Sequence, residues 1–174
     1  MPIIVQVGAC DGYYNDPIHL LVKKCFPLSK LILKVPQSFL KPILAKNYAF
    51  NPNVKIETVA IGKNGKLKLF KLKDKFYDFF LKNKKNIPSY RFPAGSVSVS
   101  KQHIFNRLNG NLPKWINIQD AIIEFEVPSV NLSLILSKYT INEYDLLQID
   151  AEGYDDEVIY NSSINQIKPR FIHF

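Results

Sequence analysis

The chain has 174 residues, enough for one α/β domain and little more. With 47% hydrophobic residues and 13% aromatics it is not a disordered chain. No apolar run approaches the roughly 20 residues of a membrane span, so no membrane segment is expected. The net charge of +8 is unevenly placed: residues 63–114 hold 13 Lys or Arg against 2 acids (Asp74 and Asp78), a surplus of +11, while the rest holds 10 basic against 13 acidic residues, or −3. Such a local surplus marks one anion-attracting surface or pocket wall, or else a lysine-rich solvated insert. Cys10 and Cys25 have no metal-site spacing, and Met1-Pro2 leads straight into an apolar run without a basic leader, so a cytoplasmic compartment is expected.

In chain order, Ile3–Val7 reads as an inner parallel strand, apolar except for Gln6. Gly8–Gly12 forms a tight turn, and a helix over Pro17–Lys24 follows, with Asp16 as N-cap and Pro17 at its first position. Leu31–Leu33 is the second strand, Pro36–Asn47 a helix interrupted near Pro42, and Val54–Ile61 the third strand. Lys66–Leu72 can pair with that strand as a hairpin across Asn64-Gly65. The segment 73–115 is irregular, with three prolines and a helix around Lys101–Leu108. A helix over Asn131–Lys138 capped by Ser129, a fourth strand at Leu146–Asp150, a helix starting at Asp155–Tyr160 and a fifth strand at Arg170–Phe174 complete the series. The alternation predicts one open, mostly parallel sheet in spatial order 3-2-1-4-5, with the ligand crevice at the carboxyl ends of the first and fourth strands. The chain stops at the fifth strand, which implies either a sheet cut short or a minimal five-stranded one.

Two motifs carry the chemistry. Val5-Gln6-Val7-Gly8-Ala9-Cys10-Asp11-Gly12 joins a strand to a small-residue turn, which allows backbone to approach a ligand or simply makes a structural turn. Its Gly-x-x-x-Gly spacing differs from the pyrophosphate-binding Gly-x-Gly-x-x-Gly and disfavours a nicotinamide cofactor. In Leu146-Leu147-Gln148-Ile149-Asp150-Ala151-Glu152-Gly153-Tyr154, a strand delivers Asp150 and Glu152 to its carboxyl end, where they suit ligand contact, base chemistry or a cation. Asp155, Asp156 and Glu157 are explained by the helix macrodipole.

These motifs, in this order, resemble the FkbM family of methyltransferases. So do Asp16-Pro17, Leu31-Ile32 with Val35-Pro36-Gln37-Ser38-Phe39, Val59-Ala60-Ile61-Gly62 with Gly65, Ser96-Val97-Ser98 with His103, Val127-Pro128 with Leu132 and Leu136, and Lys168-Pro169. The resemblance covers nearly the whole chain. It implies one Rossmann-like class I methyltransferase domain over residues 1–174, with an acceptor-side basic segment at about 63–115. It also implies S-adenosylmethionine as cofactor and transfer to a hydroxyl of a sugar, glycan or related metabolite. Carried over, Gln6, Gly8, Ala9, Asp11, Gly12, Ala60, Ile61, Asp150 and Gly153 would line the cofactor, and Asp150, Glu152 and His103 would be the catalytic candidates, with no metal required. The family usually has an acid then a proline where this chain has Leu33-Lys34. The acid would accept both ribose hydroxyls, so weaker cofactor binding is expected here.

His103 is alternatively a surface histidine, His19 a partly exposed side chain, His173 structural, and Phe76, Tyr77, Phe79 and Phe80 an apolar helix face. Trp115 and these aromatics can also stack on a sugar or base. Arg91 and Arg107 can give bidentate contacts to an anionic acceptor such as a phosphate-bearing glycan. Two competing functions remain: a degenerate, non-catalytic module with a basic partner-binding face, and a nucleic-acid methyltransferase. The latter is disfavoured because neither an amine-methylation motif nor a nucleic-acid module is present.

Overall fold

A computed structural model describes residues 1–78, 88, 90, 92, 94–108 and 116–174. Its strands are β1 (Ile3–Val7), β2 (Lys30–Lys34), β3 (Val54–Glu57), β4 (Ala60–Ile61), β5 (Gly65–Leu72), β6 (Val97–Ser98), β7 (Ile122–Val130), β8 (Tyr144–Ile149) and β9 (Pro169–His173). Its helices are α1 (His19–Cys25), α2 (Lys41–Asn47), α3 (Lys101–Leu108), α4 (Ile118–Ala121), α5 (Leu132–Lys138) and α6 (Asp155–Tyr160). The chain divides into a larger unit (Met1–Leu67, Val127–Ala151, Asp155–Phe174) and a smaller one (Lys68–Glu126, Glu152–Tyr154).

The larger unit is built on a five-stranded sheet in order β3-β2-β1-β8-β9, every neighbouring pair parallel. This is the Rossmann-like arrangement. The expected order 3-2-1-4-5 counted five strands, and the numbers differ because β4–β7 intervene in the chain before β8. The inner strands are apolar on both faces: Ile4, Val5, Val7, Leu31, Ile32, Leu33, Leu147 and Ile149 are all buried. Full burial of each such side chain contributes about 1.5–3 kcal/mol, so β1, β2 and β8 hold the sheet's centre. In the same unit β4 pairs in parallel with the end of β7, Ala60 opposite Ser129 and Ile61 opposite Val130.

The smaller unit has its own core. Leu72, Phe92, Ile104, Leu108, Ala121 and Ile122 form a buried cluster, with Phe70, Phe76, Tyr77, Phe105 and Ile116 packed on it. Helix α3 contributes Ile104 and Leu108, which at i,i+4 spacing share one face. β6 pairs antiparallel with β5, Phe70 opposite Ser98.

Several expected boundaries are corrected. The first helix runs His19–Cys25 rather than Pro17–Lys24, while the Asp16 carboxylate accepts from the amides of Ile18 and His19 (2.9 and 2.7 Å), the bonds expected of an N-cap, in the turn that leads into it. Pro42 lies in the first turn of α2, which starts at Lys41, instead of interrupting a longer helix, and a 3-10 turn over Ser38–Leu40 precedes it. The third strand ends at Glu57, and Ala60–Ile61 pairs with Ser129–Val130 rather than folding back on Lys66–Leu72. The Asn64 side chain accepts from the Asn131 amide, tying the expected hairpin turn to the end of β7 instead. Asn131, not Ser129, caps α5 by accepting from the Ser133 amide (2.9 Å). His19 is buried at 3% exposure, edge-on to the rings of Tyr13, Tyr48 and Phe50. Phe79, Phe80, Arg91 and Trp115 lie outside the described residues.

Candidate active site

Local chain geometry brings the glycine turn to the end of β8. Gly8 has φ +85, and a Cβ there would lie 1.8 Å from the Asp150 carbonyl oxygen. The Asp150 amide donates to the Val7 carbonyl at 3.0 Å, continuing the β1–β8 ladder by one residue. Gly8 and Ala9 both donate their amides to the Lys34 carbonyl (3.1 and 2.9 Å), which fastens the turn to β2. Gly12 is needed for a different neighbour: its Cβ would strike Leu44 at 2.3 Å and Tyr48 at 2.6 Å. The turn's glycines are therefore required by internal packing, whatever ligand the turn meets.

The other expected cofactor-lining residues of this unit are mostly engaged. Gln6 is buried and donates its side-chain amide to Asp16 at 2.9 Å. Asp11 is buried and accepts from the amides of Tyr13 and Tyr14, each at 3.2 Å. Ala60 and Ile61 are buried on β4. Asp150 is exposed beside Gly8.

The end of β2 holds an unusual charge. Leu33 and Lys34 are both fully buried, and the Lys34 ammonium has no hydrogen-bond partner among the described residues. Burial lowers its pKa to about 7, against the favourable charge of Glu57 and with the help of Lys138. Glu57 stands next to it in register on β3 and accepts from Lys138 and the Tyr139 hydroxyl. Burial is the largest influence on Glu57 and pushes it up, but those two hydrogen bonds and the Lys34 and Lys138 charges outweigh it and hold Glu57 below the usual carboxylate range.

The smaller unit gathers the second set of candidates. Glu152 adopts φ +51, left-handed for a non-glycine residue, and Gly153 follows at φ +88. That bend sets the Glu152 carboxylate 3.1 Å from His103 Nε2 and 2.8 Å from the Arg107 guanidinium. His103 and Arg107 are one turn apart on α3, so one carboxylate meets both. All three side chains are about 40% exposed: 41% for His103, 40% for Glu152 and 39% for Arg107. The Ser98 hydroxyl donates to the Glu152 carbonyl (2.9 Å) and accepts from the Ser100 amide, while the Ser100 hydroxyl accepts from the His103 amide.

Of the catalytic candidates, Glu152 and His103 thus meet in the smaller unit, and Asp150 lies against Gly8 in the larger one. Sequence reasoning named Ser98 only within the family-like stretch beside His103 and gave no role to it or to Ser100, whose only signal was the serine spacing before His103. It read Arg107 as a contact for an external anion, whereas Arg107 is engaged with Glu152. Within the basic segment Lys68 pairs with Glu124 and Lys71 with Asp74, while Lys63, Lys75 and Lys101 are exposed.

The family model described as Methyltransferase FkbM domain matches residues 6–174. The chain belongs to the FkbM methyltransferase family. No curated protein and no solved structure gave a match. The FkbM match extends over both units and includes the Gly8 turn, the Leu33-Lys34 pair, and the His103 and Glu152 segments. Among the described residues no helix is long and apolar enough to cross a membrane.

Proposed function

We propose that this FkbM-family chain is an S-adenosylmethionine-dependent O-methyltransferase acting on a hydroxyl of a sugar, glycan or related metabolite, with His103 as its general base. The observation that carries the reading is the 3.1 Å contact between His103 Nε2 and the Glu152 carboxylate. With Nε2–H donated to Glu152, the Nδ1 lone pair is available to take the proton of an acceptor hydroxyl as its oxygen becomes nucleophilic. The carboxylate then stabilises the imidazolium and fixes its orientation. Bound cofactor would supply a sulfonium-activated methyl group.

The larger unit's residues suit that cofactor in part. The exposed Asp150 carboxylate fits the methionine ammonium, beside a turn whose small residues leave only backbone at Gly8. The ribose diol finds no acceptor at Leu33, which is apolar and fully buried. That gap favours the second reading, a methyltransferase fold kept as a non-catalytic binding module. The acceptor we propose is anionic or phosphate-bearing, drawn by the exposed Lys63, Lys75 and Lys101.

Titration calorimetry with S-adenosylmethionine separates the two readings, because a binding module gives no heat. Transfer of isotopically labelled methyl to matched neutral and phosphorylated sugars, over a salt series, tests the acceptor. His103→Ala should cost 10²- to 10⁴-fold in rate, the usual worth of a positioned base. An unchanged rate on His103→Ala would remove the base from the mechanism.

A further inference from the structure

The pairing of His103 with Glu152 depends on backbone that would not adopt its geometry unaided. Glu152 sits at φ +51, a conformation that costs a non-glycine residue about 1–2 kcal/mol. Something must hold it there, and the neighbouring Gly153 adds freedom instead of restraint. The other half of the pair rides on α3, whose core face is fixed by Ile104 and Leu108. What remains is the register between the bend and the helix.

One hydroxyl supplies that register. Ser98 is 2% exposed and lies on β6, where it stands opposite Phe70 of β5. Its Oγ donates to the Glu152 carbonyl at 2.9 Å and accepts from the Ser100 amide at 3.1 Å. Ser100 in turn accepts from the amide of His103 itself, at 3.1 Å. The chain of bonds therefore runs from the Glu152 backbone, through Ser98 and Ser100, to the His103 backbone. The side-chain contact between Glu152 and His103 closes the loop. The Ser98 hydroxyl makes both bonds through a single atom, which donates to the carbonyl and accepts from the amide.

We propose that Ser98 is a positioning residue whose buried hydroxyl locks Glu152 onto His103 and so keeps the imidazole oriented as a base. The proposal rests on the reading of His103 and Glu152 as a working pair. Ser98 touches no reacting atom and acts only through Glu152.

The test reads the ring proton directly and needs neither cofactor nor acceptor. Nitrogen-15-edited NMR of the full chain measures exchange of the His103 Nε2 proton with solvent, assigned by its loss in His103→Gln. In the unaltered protein the proton should be protected by its bond to Glu152. Ser98→Ala should speed its exchange about tenfold, the effect of losing one ordinary hydrogen bond. Ser98→Thr, which keeps the hydroxyl, should restore it. If Ser98→Ala does not fold, Ser98→Cys replaces it with the same expectation, since a thiol is a poor hydrogen-bonding group. A folded Ser98→Ala or Ser98→Cys protein with unchanged exchange overturns the proposal. Equally fast exchange in the unaltered protein and in Glu152→Ala overturns the pair itself, and the proposal with it.

Discussion

Replacing Lys34 with methionine should make the protein more stable, by an amount set by pH. Lys34 is fully buried, and its ammonium has no hydrogen-bond partner among the described residues. Its pKa falls from 10.5 to about 7 on folding. At roughly 1.4 kcal/mol per unit, the buried charge costs on the order of 5 kcal/mol below pH 7, where both folded and unfolded chains carry it. Between pH 7 and 10.5 the unfolded chain holds a proton that the folded chain has released. Stability therefore rises with pH across that window, by about 1.4 kcal/mol per pH unit. Methionine has similar length and no charge, so Lys34→Met should remove this slope. Urea unfolding at several pH values from 6 to 10.5 is the assay. Lys34→Met should be several kcal/mol more stable at pH 6–7 and converge on the unaltered protein near pH 10.5. Parallel curves over that range, or a variant less stable throughout, would refute the reasoning. Losing Lys34 also removes one of the charges that hold Glu57 down, so the stability that Glu57 loses as pH falls should be smaller in the variant and its loss complete at a higher pH.

Gly8→Ala should destabilise the larger unit by about 3 kcal/mol or more, from left-handed strain of ~1–2 kcal/mol and overpacking of ~1–3 kcal/mol against the Asp150 carbonyl; a thermal melt unchanged from the unaltered protein would show that the turn can yield. Leu33→Glu places a carboxylate at a fully buried position, so it should lower the melting temperature without ligand and tighten S-adenosylmethionine binding about tenfold, from one charge-assisted hydrogen bond of ~1.5 kcal/mol. Lower stability with no gain in binding by calorimetry would mean that the ribose is held elsewhere. Asn131→Ala should cost about 1 kcal/mol in denaturant titration through loss of the α5 cap, whereas Ser129→Ala should leave α5 unaffected.

The central sheet was legible in the sequence because its information is local. Runs such as Leu31-Ile32-Leu33 and Leu146-Leu147-Gln148-Ile149 are apolar on both faces, as inner parallel strands must be. The extents of α3 and the start of α6 were readable for the same reason, from one apolar face and an acidic first turn. β7 was not recognised: Pro128 and the glutamates at 124 and 126 break the apolar pattern of an inner strand. The break between β3 and β4 was equally hidden: Val54–Ile61 stays compatible with a strand throughout, and only pairing with Ser129–Val130 ends it at Glu57. His19 reads as an ordinary helix residue until Tyr48 and Phe50, some thirty positions away, close around it. The contact between His103 and Glu152 spans 49 residues and turns on a positive φ that no residue preference announces.

That last contact gives the Asp150–Asp155 segment its meaning. Asp150 continues the β1–β8 ladder, and the Ala151 amide is held by the Asp155 carboxylate at 2.8 Å. Between these fixed points only Glu152, Gly153 and Tyr154 belong to the smaller unit. Two successive positive φ values, at Glu152 and Gly153, make so tight a bend possible. Within the smaller unit this bend presents the acid to His103, while Asp150 and Ala151 are anchored by the larger unit's own hydrogen bonds. A substitution within the bend can alter the imidazole's partner while the sheet stays intact. A substitution at Gly8 or Asp155 acts on the anchors first. Loss of the His103 ring-proton bond at unchanged stability would therefore trace to residues 152–154 or to the serines that hold them, and loss of sheet stability alone would trace to the anchors.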